Sequence, residues 1–246
     1  KRFLRVGVQT PNKMVYGDLG RYPLYVVATV KFVKYWLRLI TMPRERLPFK
    51  AFVMSCTMCD SGKKSWAFHL RNVLCENGFT DAWQQQSVGD VKMFLCKLKG
   101  RLIERFQQDW INGVNASDRF QFYAQFKRSF KVEPYVNCSQ LRCFKIAYVQ
   151  FRFGISPINF HRMRYRKGVT PQQMLCPVCR DVVEDENHIL FECPLYDDLR
   201  HDMSFFQANQ MNDVVTLMNA NDDTSVMELS RFLYTVFKRR LQPVQF

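Results

Sequence analysis

The sequence predicts a mostly α-helical protein, a helical bundle-like body carrying a small Cys-Cys-His-Cys knuckle near its C-terminus. Three observations predict it. Apolar residues recur every three or four positions through most of the chain, with no strand-like alternation of any length. Capping and stop residues bracket those stretches. Cys176-Pro-Val-Cys179, followed by His188 and Cys193, has the residue types and spacing of a tetrahedral metal site. At 246 residues, 47% of them hydrophobic, the chain is long enough to bury a core without disulfides.

Thr10-Pro11 reads as an N-cap followed by proline at the first helical position, and this first short helix ends near Gly17. A turn at Gly20-Arg21-Tyr22-Pro23 leads into an amphipathic helix from Leu24 to Ile40. Its apolar stripe holds Tyr25, Val26, Val30, Val33, Trp36, Leu37 and Ile40, with Lys31, Lys34 and Arg38 on another sector. Pro48 begins a helix to about Met58, closed by Asp60-Ser61-Gly62, and Ser65 caps the next, which stops at Asn77-Gly78. Asp90 caps a longer helix through Phe94, Leu98, Leu102 and Trp110 that ends at Asn112-Gly113. Ser117 caps a short one to Phe126, Pro134 marks a loop, and Ser139 to Phe153 is helix-like. From Ile155 to Pro171, with Pro157 and Gly168 inside, no period is visible and an irregular basic loop is expected. After the cysteines come a polar connection, Asn219 to Asp223, and a final helix from Val226 to Lys238-Arg239-Arg240.

The net charge is +14, unevenly spread. Residues 1–60 hold eleven basic and three acidic side chains, and residues 136–175 hold seven basic and no acidic one. Residues 176–246 reverse the sign, with six basic against twelve acidic. Such a field attracts polyanions, nucleic acid first and anionic membrane second. Leu24 to Ile40 is too short and too charged to span a bilayer, so no membrane partner is expected. Nine cysteines, an odd number including a Cys-x2-Cys pair, without a recognisable secretory signal, favour free thiols in a reducing compartment, nuclear or cytoplasmic. The first residue is Lys1 rather than Met, and the chain is expected to be a piece of something longer.

Zinc takes thiolate and imidazole ligands tetrahedrally, and Cys176, Cys179, His188 and Cys193 supply four, leaving no position for a reacting water. A structural Zn2+ is therefore expected rather than a catalytic one. The acidic run Asp181, Glu184, Asp185 and Glu186 between the two halves reads as an exposed, solvated loop. A second quartet, Cys56, Cys59, His69 and Cys75, has similar intervals, but His69 and Cys75 share one helix at about 120° around its axis. Buried small cysteines explain it better. Tyr196-Asp197-Asp198, adjoining a ligand in helical sequence, reads as a solvated face rather than a magnesium site.

Two groups of residues carry a family resemblance. The first is Arg152-Phe153-Gly154-Ile155, His161-Arg162-Met163-Arg164-Tyr165 and the cysteine cluster with Asp185-Glu186-Asn187-His188-Ile189-Leu190-Phe191-Glu192-Cys193-Pro194. The second is Val15 to Pro23 and Ser65 to Arg71. Together they resemble the region beyond the polymerase core of non-LTR retrotransposon reverse transcriptases. The resemblance implies the end of a thumb over residues 1–62, a helical linker over 63–154, a basic loop with zinc knuckle over 155–200, and a helical segment over 201–246. It also implies that the parent is an RNA-directed DNA polymerase, that RNA and DNA are the partners beside the polymerase core of the same polypeptide, and that the region supports target-primed reverse transcription. The sequence has no Tyr-x-Asp-Asp motif and no nuclease motif, so no enzymatic activity is expected of this chain by itself.

On the residues themselves, Arg152, His161, Arg162, Arg164, Arg166 and Lys167 are the expected phosphate contacts, with Phe160 or Tyr165 stacking on bases. The competing expectation is a zinc-stabilised helical scaffold whose aromatic surface binds a protein partner.

Overall fold

The computed structural model describes residues 1–204, 206 and 213–241. Among them the protein is mostly helical, and its one β feature is an isolated antiparallel bridge between Leu175 and Val183. The last expected segment, 201–246, lies partly outside the described residues. The chain divides into two compact units, residues 1–21 with 110–246, and residues 22–109. The edges expected at 62, 154 and 200 fall inside these units rather than between them.

The unit 22–109 holds α2 (Leu24–Ile40), α3 (Leu47–Asp60), α4 (Trp66–Glu76), α5 (Thr80–Gln85) and most of α6 (Val91–Asn115). Of the expected α2 stripe, Val26, Val33, Trp36 and Leu37 are buried in a core shared with Leu70, Leu74, Leu98 and Leu102, Val30 and Ile40 pack half-buried against it, and Tyr25 is exposed. Ser65 caps α4 as expected, accepting from the Phe68 amide at 3.2 Å, and its hydroxyl also donates to the Ser55 carbonyl at 2.8 Å. One serine thus starts α4 and ties it to α3. Asp90 caps α6, accepting from the Met93 amide at 2.6 Å.

The other unit begins with α1 (Asn12–Leu19) and includes α7 (Gln121–Phe126), α8 (Pro134–Asn137), α9 (Arg142–Arg152), α10 (Asn159–Met163), α11 (Asp197–His201), α12 (Val214–Met218) and α13 (Asp223–Arg240). Its centre is the pairing of α9 with α13, where the Phe144 and Tyr234 rings lie 5.2 Å apart; α9 buries Ala147, Tyr148 and Phe151, and α13 buries a stripe of Val226, Leu229, Phe232, Leu233 and Val236. Gly17 lets α1 approach closely, because a Cβ there would lie 2.6 Å from Trp110 Cζ2 and 2.7 Å from the Tyr123 hydroxyl.

Several local expectations need correction. Thr10 makes no capping hydrogen bond to α1. α6 runs past Asn112-Gly113 to Asn115, and Pro134 opens a helical turn rather than a loop. The segment from Ile155 to Pro171 is not wholly irregular, since it contains α10.

Buried where α1, α7, α8 and α9 meet is a cluster of charges that composition alone could not locate. The Arg152 guanidinium is wholly shielded from solvent and bonds Asp18 Oδ2 at 3.0 Å, Glu133 Oε2 at 2.7 Å and the Met218 carbonyl at 2.8 Å. It also lies 4.5 Å from the centre of the Phe126 ring. Tyr123 and Tyr135 donate to the two Asp18 oxygens, and Lys127 pairs with Glu133. Two cations face two carboxylates, so the group is neutral as a whole. Burial by itself opposes the Arg152 charge, but Asp18, Tyr148 and Glu133 outweigh it and hold the proton more tightly than usual. Arg152 is therefore an internal strut and not the phosphate contact expected from the sequence.

Candidate metal centre

The knuckle starts from backbone geometry. The Leu175–Val183 bridge and the Cys176 amide, bonded to the Val182 carbonyl at 2.8 Å, form a short hairpin. Its tip returns through Arg180, whose amide reaches the Cys176 carbonyl at 2.9 Å. Arg180 takes φ 67°, so the turn places a non-glycine residue in the left-handed region. This bend brings Cys176 and Cys179 to the same side. The second half is a π-helical turn, His188–Glu192, closed by the Cys193 amide on the His188 carbonyl at 2.8 Å. That bond sets the His188 and Cys193 side chains side by side, and Asp185 Oδ1 accepts from the His188 amide at 2.8 Å to fix its start.

The ligand atoms of Cys176, Cys179, His188 and Cys193 all lie within 4.8 Å of one another, so these four residues form a group that can hold a metal ion. The second quartet forms no such group among the described residues, but of its cysteines, expected to be buried, only Cys59 is: Cys56 is half-buried and Cys75, like His69, is exposed. Cys176 Sγ and Cys193 Sγ are 3.9 Å apart, too far for a disulfide. Tetrahedral metal–thiolate bonds of about 2.3 Å require a sulfur separation of about 3.8 Å, which this pair matches.

His188 supplies an independent test of fit. Its Nε2 is buried and has no hydrogen-bond partner, while Nδ1 lies 3.4 Å from Glu192 Oε2. A ligating imidazole needs one nitrogen free for the ion and an acceptor to orient the other. The thiols also compete for charge. The hydrogen bond from Cys193, ahead of backbone amides and His188, draws Cys176 down to about 4, and that same bond pushes Cys193 up. Burial and the Cys176 charge raise Cys179. A cation between the sulfurs would relieve that competition.

The acidic run expected to be solvated is partly buried. Glu184 is 1% exposed and serves three elements at once. Its carboxylate takes both a bidentate bond from Arg240 at 2.6 and 2.7 Å and the Asn159 amide at 2.5 Å, while its carbonyl accepts from the Phe160 amide at 3.2 Å. Glu184 therefore joins the knuckle to α10 and to the end of α13. Glu186 is buried too, and its Oε1 lies 2.6 Å from His161 Nε2, with Ser156 Oγ 2.7 Å from His161 Nδ1. The row of Ser156, His161 and Glu186 has the order of a hydrolytic triad. Ser156, however, is 1% exposed, so the arrangement anchors α10 rather than attacking a substrate. The solvation expected for Tyr196-Asp197-Asp198 holds for the two exposed aspartates, with Asp198 paired to Arg239, whereas Tyr196 is buried.

These contacts sort the expected nucleic-acid residues. His161 is buried, burial lowers its pKa, and it faces the knuckle, which corrects its assignment to phosphate. Arg164 is largely buried, donates to the Gly154 carbonyl at 3.1 Å and stacks over Phe160 and Tyr165. Phe160 is half-buried. Arg162, Tyr165, Arg166 and Lys167 are exposed, and the Tyr165 hydroxyl donates to the Asp118 carbonyl at 3.3 Å. Asp18 and Glu133 are the residues sequence reasoning missed, and Glu184 is one it took for solvated. No periodicity marks them, because their partners are distant in the chain.

Replacing Glu184 with Gln is expected to destabilise this unit by about 3 kcal/mol, since Arg240 is left without its buried counter-charge. Urea unfolding of the purified variant measures it, and a loss below about 1 kcal/mol would show that the carboxylate is not a structural joint. Among the described residues no helix is long and apolar enough to cross a membrane. Compared with known proteins, the chain matches no family model, no curated protein and no solved structure.

Proposed function

We propose that the four-residue group holds a structural Zn2+, and that the chain is a nucleic-acid-binding region of a retroelement reverse transcriptase. In this reading it grips template RNA or target DNA beside the polymerase core of the same polypeptide. The observation that carries the binding reading is the outward-facing set Arg162, Arg166 and Lys167 around Tyr165. Those side chains sit on a segment tied to the knuckle through Glu184 and through His161–Glu186. Three thiolates and an imidazole suit zinc over harder cations, and four protein ligands leave no open coordination position, so the ion holds shape rather than reacting. The net charge of +14 supplies the sequence-independent attraction, and the free cations give it a place to act.

The test is the salt dependence of binding to a fluorescent RNA and to a DNA duplex. Each phosphate neutralised contributes about 0.7 to 0.9 to the slope of log affinity against log salt. The triple variant Arg162→Gln, Arg166→Gln, Lys167→Gln is expected to keep its fold and to lower that slope by about 2. Affinity that ignores salt in the unaltered protein, or a triple variant that binds unchanged, sinks this reading and leaves a protein-binding scaffold as the better one.

A further inference from the structure

Within the unit 22–109 lies an open cleft of about 500 Å³ between the end of α2, α3 and α5. Met42, Phe49, Val53 and Trp83 give it apolar walls, and Arg44, Asp60 and Gln84 are exposed along its edge. Those three polar side chains make no hydrogen bond or ion pair with the described residues, although each has the chemistry to make one. Burial, reinforced by Asp60, pushes the Cys56 thiol up to about 11, so this part of the wall is neutral.

The aromatic wall is held in place. Gln86 follows α5 in the left-handed region at φ 48°, an uncommon position for a residue with a side chain. Its amide is used at both ends: Nε2 donates to the Trp83 carbonyl at 2.6 Å, and Oε1 accepts from Trp36 Nε1 at 3.1 Å. Trp36 is fully buried in the core. The turn that presents Trp83 is thus fastened to the buried core of the unit, which lowers the ordering cost of any ligand stacking there.

We infer that this cleft takes an unpaired nucleobase of a single-stranded nucleic acid, with the base against Trp83 and its phosphate on Arg44. The inference rests on the nucleic-acid reading above and adds a second contact, in the other unit. Residues 22–109 contain fourteen basic and seven acidic side chains, so a polyanion is attracted to this unit as well. A planar heterocycle uses the apolar walls, its edge can pair with the Gln84 amide, and Asp60 can accept from an amino or ribose hydroxyl group. A protein's apolar side chain would fill the same walls while leaving Arg44, Asp60 and Gln84 without partners. A base inside a duplex cannot enter, so the cleft should discriminate single strands from double strands.

The whole chain is titrated with a labelled twelve-nucleotide single-stranded RNA and with a duplex of the same length, by fluorescence anisotropy. Trp83→Ala is expected to weaken single-strand binding about tenfold with little change for the duplex, and Trp83→Phe to recover most of the loss. Because Trp83 is half-buried, Arg44→Gln at an exposed position is the control for folding, expected to weaken single-strand binding severalfold. If both Trp83→Ala and Arg44→Gln bind the single strand like the unaltered protein while the Arg162/Arg166/Lys167 variant does not, the cleft inference is overturned and the proposed function stands. If the unaltered protein binds neither of these RNAs nor the DNA duplex, both are overturned, and binding of N-acetyltryptophanamide unaffected by Arg44→Gln would then mark the cleft as a protein-docking site.

Discussion

Changing Cys193 to Ser is expected to abolish tight zinc binding and to release the knuckle from its fixed structure, with chelation of the unaltered protein giving the same result. A structural zinc contributes roughly 10 to 16 kcal/mol to the folding of isolated finger peptides. The knuckle, with one bridge and a few turns, has little else of that size to replace it. The loss should propagate along a defined path. The Cys176, Glu184 and Cys193 amides lose their partners in Val182, Met174 and His188, and the Phe160 amide then loses the Glu184 carbonyl. Hydrogen exchange reads each of these amides, and α9 with α13 should stay protected. Equal protection of the knuckle amides with and without chelator would show that no metal holds them.

The second large effect is expected from Arg152→Met. Methionine fills a similar volume but leaves Asp18 and Glu133 buried without their shared cation, a change that costs about 3 to 5 kcal/mol. Against a typical total of about 5 to 15 kcal/mol, that is enough to leave much of this unit unfolded on mild warming. Adding Asp18→Asn to the same chain should return part of the loss, because one uncompensated charge is removed. Urea midpoints of the two single variants and the double variant measure this coupling. Strictly additive losses would mean that the two groups act independently despite their 3.0 Å contact.

What could be read in advance follows the range of the interaction. The ends of α2 are where apolar period and flanking turns put them, and the metal ligands were legible because a chelating turn needs its residues close in sequence. Arg152 was misread because an arginine in a basic stretch looks solvated, and its carboxylate partner at Asp18 lies 134 positions away. Glu184 and Glu186 were misread for the same reason, as a charge count carries no information about counter-ions. α10 was hidden by Pro157, Gly168 and Pro171, and its first amide is capped by a side chain 25 residues downstream. The cleft beside Trp83 had no signal at all, since it depends on how three helices meet.

Asp18 also sets an order of events during synthesis. It is made before all its partners, since Glu133, Arg152 and the Met218 carbonyl that complete its surroundings follow 115 to 200 positions later. Between them the ribosome delivers all of residues 22–109, a unit with its own apolar core. That later-made unit can therefore fold first, while α1 waits until its partners at 133, 152 and 218 have been made. A nascent chain halted near residue 150 should hold a protease-resistant 22–109 and an α1 still open to cleavage.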